Sequence, residues 1–182
     1  MSDPFDSLES LRDHIWARLA AGVAHGDDPF RRVALATMGE NGPEARMVGL
    51  RAADRATGHI EVHSDLRTDK VRALRSDPRA ALLFWDLTAE VQLRVSARLS
   101  VVVADPERWQ KVPASSRGNY GTDPAPGTPL DDPTAYDRAP DPAHFAALGG
   151  PIDRFDLVSL AHTPHRRAQF DLASGQATWC AP

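Results

Sequence analysis

The chain has 182 residues, 42 % of them hydrophobic and 25 % charged, a balance that suits one globular domain with a real core. Its net charge of -4, with no basic run, argues against a general nucleic-acid or anionic-membrane binder and leaves room for a local cationic pocket. Cys180 is the sole cysteine, which excludes an intrachain disulfide, and no histidine or aspartate is locally placed to activate it as a nucleophile.

The opening Met1-Ser2-Asp3-Pro4 is acidic and lacks an apolar signal core. No stretch approaches the roughly 20 apolar residues that span a bilayer, so a cytoplasmic protein is expected. Leu8, Leu11, Ile15 and Leu19 recur at helical spacing, with Asp6 or Ser7 as the cap and Gly22 with Gly26 at the end. This helix, within residues 1–26, should cover one part of the fold. Arg32 to Met38 reads as a strand, 39–43 as its turn, and Ala45 to Ala53 as the next strand. Ile60, Val62 and Ser64 alternate with Glu61 and His63 to give a third. Thr68 to Ser76 switches to helical spacing and is stopped by Asp77-Pro78.

Ala80 to Asp86 is a nearly continuous apolar run, the pattern of a strand buried on both faces. From Val91 to Ser100 the alternation is strict, which places Gln92 and Arg94 on one face and Leu93 and Val95 on the other. A short helix follows Asp105-Pro106 through Trp109. Residues 113–142 hold many of the prolines and read as a long loop, either mobile or ordered against a ligand or partner. Phe155 to Leu160 resumes strand character. Ala168 to Leu172 and Ala177 to Cys180 resemble a closing hairpin around Ser174-Gly175. Six or more strands with short helices imply a mainly β (α+β) single domain spanning 1–182, an antiparallel barrel with flanking helices.

Nucleophile elbows, Walker loops and dinucleotide-binding glycine motifs are absent. His162 and His165 are three apart, but the Thr163-Pro164 between them argues against a helix that would align them on a metal, and none is expected. Two segments look like anion sites. Arg46 and Arg51 flank Met47, Val48, Gly49 and Leu50 on one strand, offering forked donors around a glycine that would let a flat ligand approach the backbone. His63-Ser64 leads from a strand end to a helix start that contains Lys70, one of only two lysines. Each segment alone reads equally as an exposed strand or a capped helix.

In order along the chain these segments resemble the pyridoxamine 5'-phosphate oxidase-like, FMN-binding split-barrel family. Arg46 to Arg51 is similar to its Arg-Met-Val-x-Leu-Lys strand, and His63-Ser64-Asp65 with Thr68-Asp69-Lys70 to its strand end and Ser-Arg-Lys turn. Asp77-Pro78 with Ala80 to Trp85 and Val91 to Ala97 resemble the next two strands, and His165-Arg166-Arg167 with Phe170 the closing motif. The resemblance implies a six-stranded antiparallel split β-barrel and a homodimer with FMN at the subunit interface. It places Arg46, Met47, Val48 and Gly49 along the flavin, and His63, Ser64 and Lys70 at the ribityl phosphate. Gln92 and Arg167 would lie near the ring; Arg51 is counted among the cofactor-binding residues and, with Arg108, is a candidate for steering an anionic substrate, and Ser116 is a further substrate candidate. The chain departs from the family at Asp69 and Arg51, where it has Arg and Lys. It also departs at the substrate-phosphate clamp, where Arg108, Val112 and Ser116 stand for Tyr, Arg and Ser, and at Leu157, which stands for a flavin-contacting Trp. The implied function is hydride or electron transfer at the flavin with an unidentified small substrate. Authentic pyridoxamine 5'-phosphate oxidase and a non-catalytic FMN-binding or redox-sensing module are the alternatives, and F420 or haem replaces FMN in related barrels.

Overall fold

Residues 3–182 are described in the computed structural model. Helix α1, Leu8–Ala24, starts where the Ser7 hydroxyl accepts the Ser10 N–H at 3.1 Å. Its face of Leu11, Ile15, Trp16 and Leu19 is buried against the sheet. Gly22 does not end the helix. It lies inside it, where a Cβ would come within 2.7 Å of the Phe30 backbone, so glycine is there for close packing.

The strands are β1 Arg32–Gly39, β2 Gly42–Asp54, β3 His59–Asp65, β4 Arg79–Asp86, β5 Val91–Arg98 and β6 Ser100–Val103. Helix α2, Asp69–Ser76, links β3 to β4, and α3, Pro106–Lys111, follows β6. The segment 113–142 carries α4, Ala114–Arg117, and a two-residue ribbon of β7, Thr122–Asp123, with β8, Asp137–Arg138. Three strands close the chain: β9 Phe145–Ser159, β10 Arg166–Asp171 and β11 Ala177–Cys180.

All pairings are antiparallel. β3, β2, β1, β4 and β5 run side by side, and β9 joins both ends of that series: Phe145–Pro151 pairs with β3, and Ile152–Ser159 with β5. Six strands therefore close into a barrel that splits where β9 changes partners, with β6 on the first half of β9 and the β10–β11 hairpin on the second. At the split a Cβ on Gly150 would overlap the carbonyl of Arg98, so only glycine permits the crossing. Phe84, Phe155, Leu35, Leu82 and Leu93 fill the interior at no more than 1 % exposure, each stabilising by about 1.5–3 kcal/mol.

Two expectations fail. β4 is not buried on both faces: Ala80, Leu82 and Phe84 point in, while Leu83 and Trp85 are about 40 % exposed. Phe145 to Leu148, outside the expected strand of 155–160, is the fully buried start of the longest strand. Strands on both of its edges and packing on both faces remove the alternation that marks a half-exposed strand.

Candidate functional site

The antiparallel register of β2 and β3 and the turn into α2 put the two anion-site segments on one wall. A cavity of about 640 Å³ is lined by Arg46 to Gly49 and Arg51 from β2, His63 and Ser64 from β3, and Lys70 from α2. Its opposite wall is the proline-rich segment, from Asn119 to Arg138. Arg67 ties that segment down: its guanidinium bonds the Asp65 carboxylate at 2.7 Å and donates to the Thr122 carbonyl at 2.9 Å. The segment is thus an ordered wall of the cavity.

Lys70 is the most informative residue. Its ammonium donates to the Ser64 hydroxyl at 3.2 Å and forms no ion pair among the described residues. Burial lowers its pKa, and the neighbouring Arg46 lowers it further. Arg46 donates to Thr37 at 2.7 Å and pairs with the partly exposed Glu44 at 2.7 Å. Asp69 and the buried Asp65, which lines the same cavity and is paired with Arg67, pull the Lys70 pKa the other way without outweighing burial and Arg46. Ser64 also exchanges a hydrogen bond with Thr68 at 2.9 Å, and Thr68 makes no side-chain cap bond to α2. Asp69, at the family's arginine position, pairs outward with Arg72.

Arg51 sits on a β-bulge: Leu50 and Ala52 face consecutive residues of β3, leaving Arg51 as the extra residue. A bulge re-aims a side chain, and here the guanidinium folds back over Gly49, 3.0 Å from where a Cβ would be. The missing Cβ at Gly49 thus gives the Arg51 guanidinium its place, and Gly49 still lines the first cavity. Arg51 forms no ion pair among the described residues and lies beside the buried Tyr120, whose hydroxyl pKa is raised by burial with Arg51 pulling the other way.

A second cavity of about 490 Å³ adjoins the first and shares Arg51 and His63 with it. On its wall Arg108 is already neutralised, by Glu61 at 2.9 Å and Asp105 at 2.8 Å. Glu61 also accepts from His63 Nε2 at 3.0 Å, and its side chain is 9 % exposed. Burial alone would raise the Glu61 carboxyl, but the bonds from His63 and Arg108 outweigh it and hold the pKa down. Nothing in the pattern of β3 announced the Glu61–Arg108 pair, because its partners lie 47 residues apart.

The remaining candidates lie elsewhere. Ser116 is in α4 and lines neither cavity, and Val112 is buried beneath the second one. Leu157 points into the barrel core at 1 % exposure and cannot stand in for a ring-contacting tryptophan. Gln92 and Arg167 sit on the outer face of the sheet, in one cross-strand row running Trp85, Gln92, Val158, Arg167. Arg167 grips the buried Asp156 at 2.8 and 2.9 Å. In the neighbouring row Met47 stands opposite Ala34, Leu83 and Arg94, so the apolar residues of this face run from the first cavity towards Gln92. Met47 is 64 % exposed, a large apolar side chain with nothing over it.

No group of three or more His, Cys, Asp or Glu side chains suited to a metal occurs among the described residues, and none of their helices is long and apolar enough to cross a membrane.

A family model described as pyridoxamine 5'-phosphate oxidase matches residues 28–142. No curated protein matches the chain. Among solved structures it is similar to a pyridoxamine 5'-phosphate oxidase-related, FMN binding protein from Nostoc punctiforme PCC 73102, with 20 % identity, TM-score 0.71, and coverage of 100 % of this chain and 98 % of that one. PhzG from Burkholderia lata 383, solved with tetrahydrophenazine-1-carboxylic acid, has 16 % identity, TM-score 0.72 and the same coverage. A protein related to general stress protein 26 from Clostridium acetobutylicum has 13 % identity and TM-score 0.60, covering 91 % of this chain and 96 % of that one. At these identities the structural likenesses show the fold.

Proposed function

The chain belongs to the pyridoxamine 5'-phosphate oxidase family, and from that premise we propose that it is an FMN-binding oxidoreductase acting on a small substrate other than a vitamin B6 phosphate. The observation that carries this is the Lys70–Arg46 nook: two neighbouring cations, one half-buried and in no ion-pair contact among the described residues, with the Ser64 hydroxyl between strand and helix. A phosphate dianion supplies the missing charge and accepts from all three donors. The residues present therefore fit the phosphate of FMN, with Lys70, Ser64 and Arg46 holding it and Met47 to Gly49 along the ligand. Bound FMN would supply a two-electron acceptor; the protein supplies position and electrostatics.

Gln92 and Arg167 lie outside the cavity of their own protomer, on the same exposed sheet face that Met47, Leu83 and Trp85 leave apolar. In a homodimer formed through that face, one copy's Gln92 and Arg167 cover the flavin cavity of the other, and the Asp156 grip on Arg167 fixes its direction. The reading against a vitamin B6 phosphate rests on the clamp. Arg108 is neutralised, Val112 is buried and Ser116 is outside, so no set of donors is left at those positions for a substrate phosphate.

The test is the spectrum of the purified protein and the mass of any cofactor released from it. A yellow protein releasing FMN, and no hydrogen peroxide production on pyridoxamine 5'-phosphate, are expected. A colourless protein that does not bind added FMN refutes the reading, and rapid turnover of pyridoxamine 5'-phosphate refutes its substrate clause.

A further inference from the structure

The second cavity holds charge that the flavin site does not use. Arg51 faces it from the bulge without an ion pair. Arg31 faces it from the turn before β1, donating one guanidinium nitrogen to the carbonyls of Val23 and Leu50 at 2.9 and 3.1 Å and forming no ion pair among the described residues. Burial depresses the pKa of Arg31, and the like charge of Arg51 adds to that, so the two guanidiniums on this wall repel each other. With its histidines counted as uncharged, the lining carries four cations (Arg31, Arg51, Arg108, Lys111) and three carboxylates (Asp54, Glu61, Glu107), a surplus of one positive charge.

We infer that the second cavity binds an organic monoanion, a carboxylate held by Arg51 and Arg31, and that Glu61 is the residue that sets this preference. The inference rests on the flavin reading for the role of the neighbouring cavity. Glu61 acts by removing a cation from the ligand's reach. Its carboxylate, buried and 2.9 Å from Arg108 Nε, occupies the edge of that guanidinium that Asp105, on Nη1 at 2.8 Å, leaves open; without it the charge of the lining would rise to two and match a phosphate ester, which carries close to two negative charges at neutral pH. A phosphate ester also meets Glu61 itself as a like charge in a desolvated pocket. A carboxylate needs only the two free guanidiniums, and the planar fork of Arg51, directed by its bulge, suits that shape. The His63 side chain, 8 % exposed and bonded to Glu61 through Nε2, keeps the Glu61 carboxylate facing Arg108. Glu61 is a positioning residue, acting on the ligand through Arg108.

The experiment is calorimetric titration of the purified protein, loaded with FMN so that the phosphate nook is filled, with two probes that share one aryl group: benzoate and phenyl phosphate. The wild type should bind benzoate at least about tenfold more tightly, the worth of one well-placed charge in a partly buried site. Arg51→Met should abolish that binding. Glu61→Gln keeps the side chain's shape and should shift the preference about tenfold or more towards phenyl phosphate, because a negative charge leaves the lining and Arg108 keeps only Asp105, on its other edge. Glu61→Gln combined with Arg108→Met should lose the gain, a reversal that general loosening of the fold would not produce. Equal or tighter binding of phenyl phosphate by the wild type, no shift in Glu61→Gln, or no binding of either probe at millimolar concentration overturns the inference. Failure of the flavin reading is scored separately, by a protein that takes up no FMN while still binding benzoate through Arg51.

Discussion

Replacing Lys70 by Met should move ligand affinity and apoprotein stability in opposite directions. The ammonium is half-buried, donates only to Ser64 at 3.2 Å, and has Arg46 as a charged neighbour. A hydrogen bond from a charged group to phosphate is worth about 1.5–3 kcal/mol, so FMN should bind roughly tenfold to a hundredfold more weakly. Riboflavin, which lacks the phosphate, should be held equally well by both proteins. In the apoprotein the sign reverses. The folded pKa of Lys70 lies below its unfolded value, so the unfolded chain binds the proton more tightly, and at neutral pH the charged side chain opposes folding. Lys70→Met removes that opposition and should raise the apoprotein's urea midpoint. In the wild type, the same linkage makes the Lys70 contribution to stability rise as pH climbs from its depressed pKa to about 10.5, and the variant should lose that rise. Fluorescence titration with FMN and riboflavin and urea unfolding at several pH values measure all three. Unchanged FMN affinity in a folded variant would refute the phosphate assignment. An equal loss for both flavins would refute its electrostatic basis.

Three further outcomes are expected. Gly150→Ala should destabilise the protein by about 3 kcal/mol in urea unfolding, because the new Cβ would overlap a backbone carbonyl at the barrel's split and neither strand can retreat. Gly49→Ala should cost less than about 1 kcal/mol, since the atoms it meets at 3.0 Å are the free end of Arg51, yet it should weaken benzoate binding severalfold by displacing that guanidinium. Leu83→Asp, on an exposed position of β4, should leave the protomer folded within about 0.5 kcal/mol. If the proposed homodimer forms through this face, the variant should sediment as a monomer where the wild type sediments as a dimer, and bind FMN more weakly. A monomeric wild type, or an unchanged mass in the variant, would sink the dimeric reading.

What the sequence conveyed about this fold follows from which residues face water on one side only. β5 was legible because Gln92, Arg94 and Ser96 alternate with Leu93 and Val95, one set outside and one in the core. β4 shares that geometry but misled, because its outer face carries Ala81, Leu83 and Trp85 instead of charge. An apolar residue on an exposed face looks like a core residue until the pairing is known, and the same residues that hid the facing of β4 are the ones the proposed dimer would cover. The start of β9 was illegible for the opposite reason: Phe145 to Leu148 have no wet side, and Gly149-Gly150-Pro151 reads as a breaker when it is the crossing point of the barrel.

The site divides along the same line. That the first cavity would gather Arg46, Ser64 and Lys70 was readable because the parts of the proposed phosphate nook are local: a strand, a strand end and a helix start, each with one donor type that anion binding requires. The second cavity was not, because its character depends on a cancellation. Arg108, taken from the sequence as a cation that could steer a substrate, is silenced by an acid 47 residues away whose alternation in β3 looked like ordinary strand polarity. Arg51 was recognised for its charge, but its direction comes from one extra residue in the β2 register, which no local pattern announces. Two arginines of equal standing in the sequence thus differ through pairing alone: Arg51 has no carboxylate partner among the described residues, and Arg108 is held by both Glu61 and Asp105.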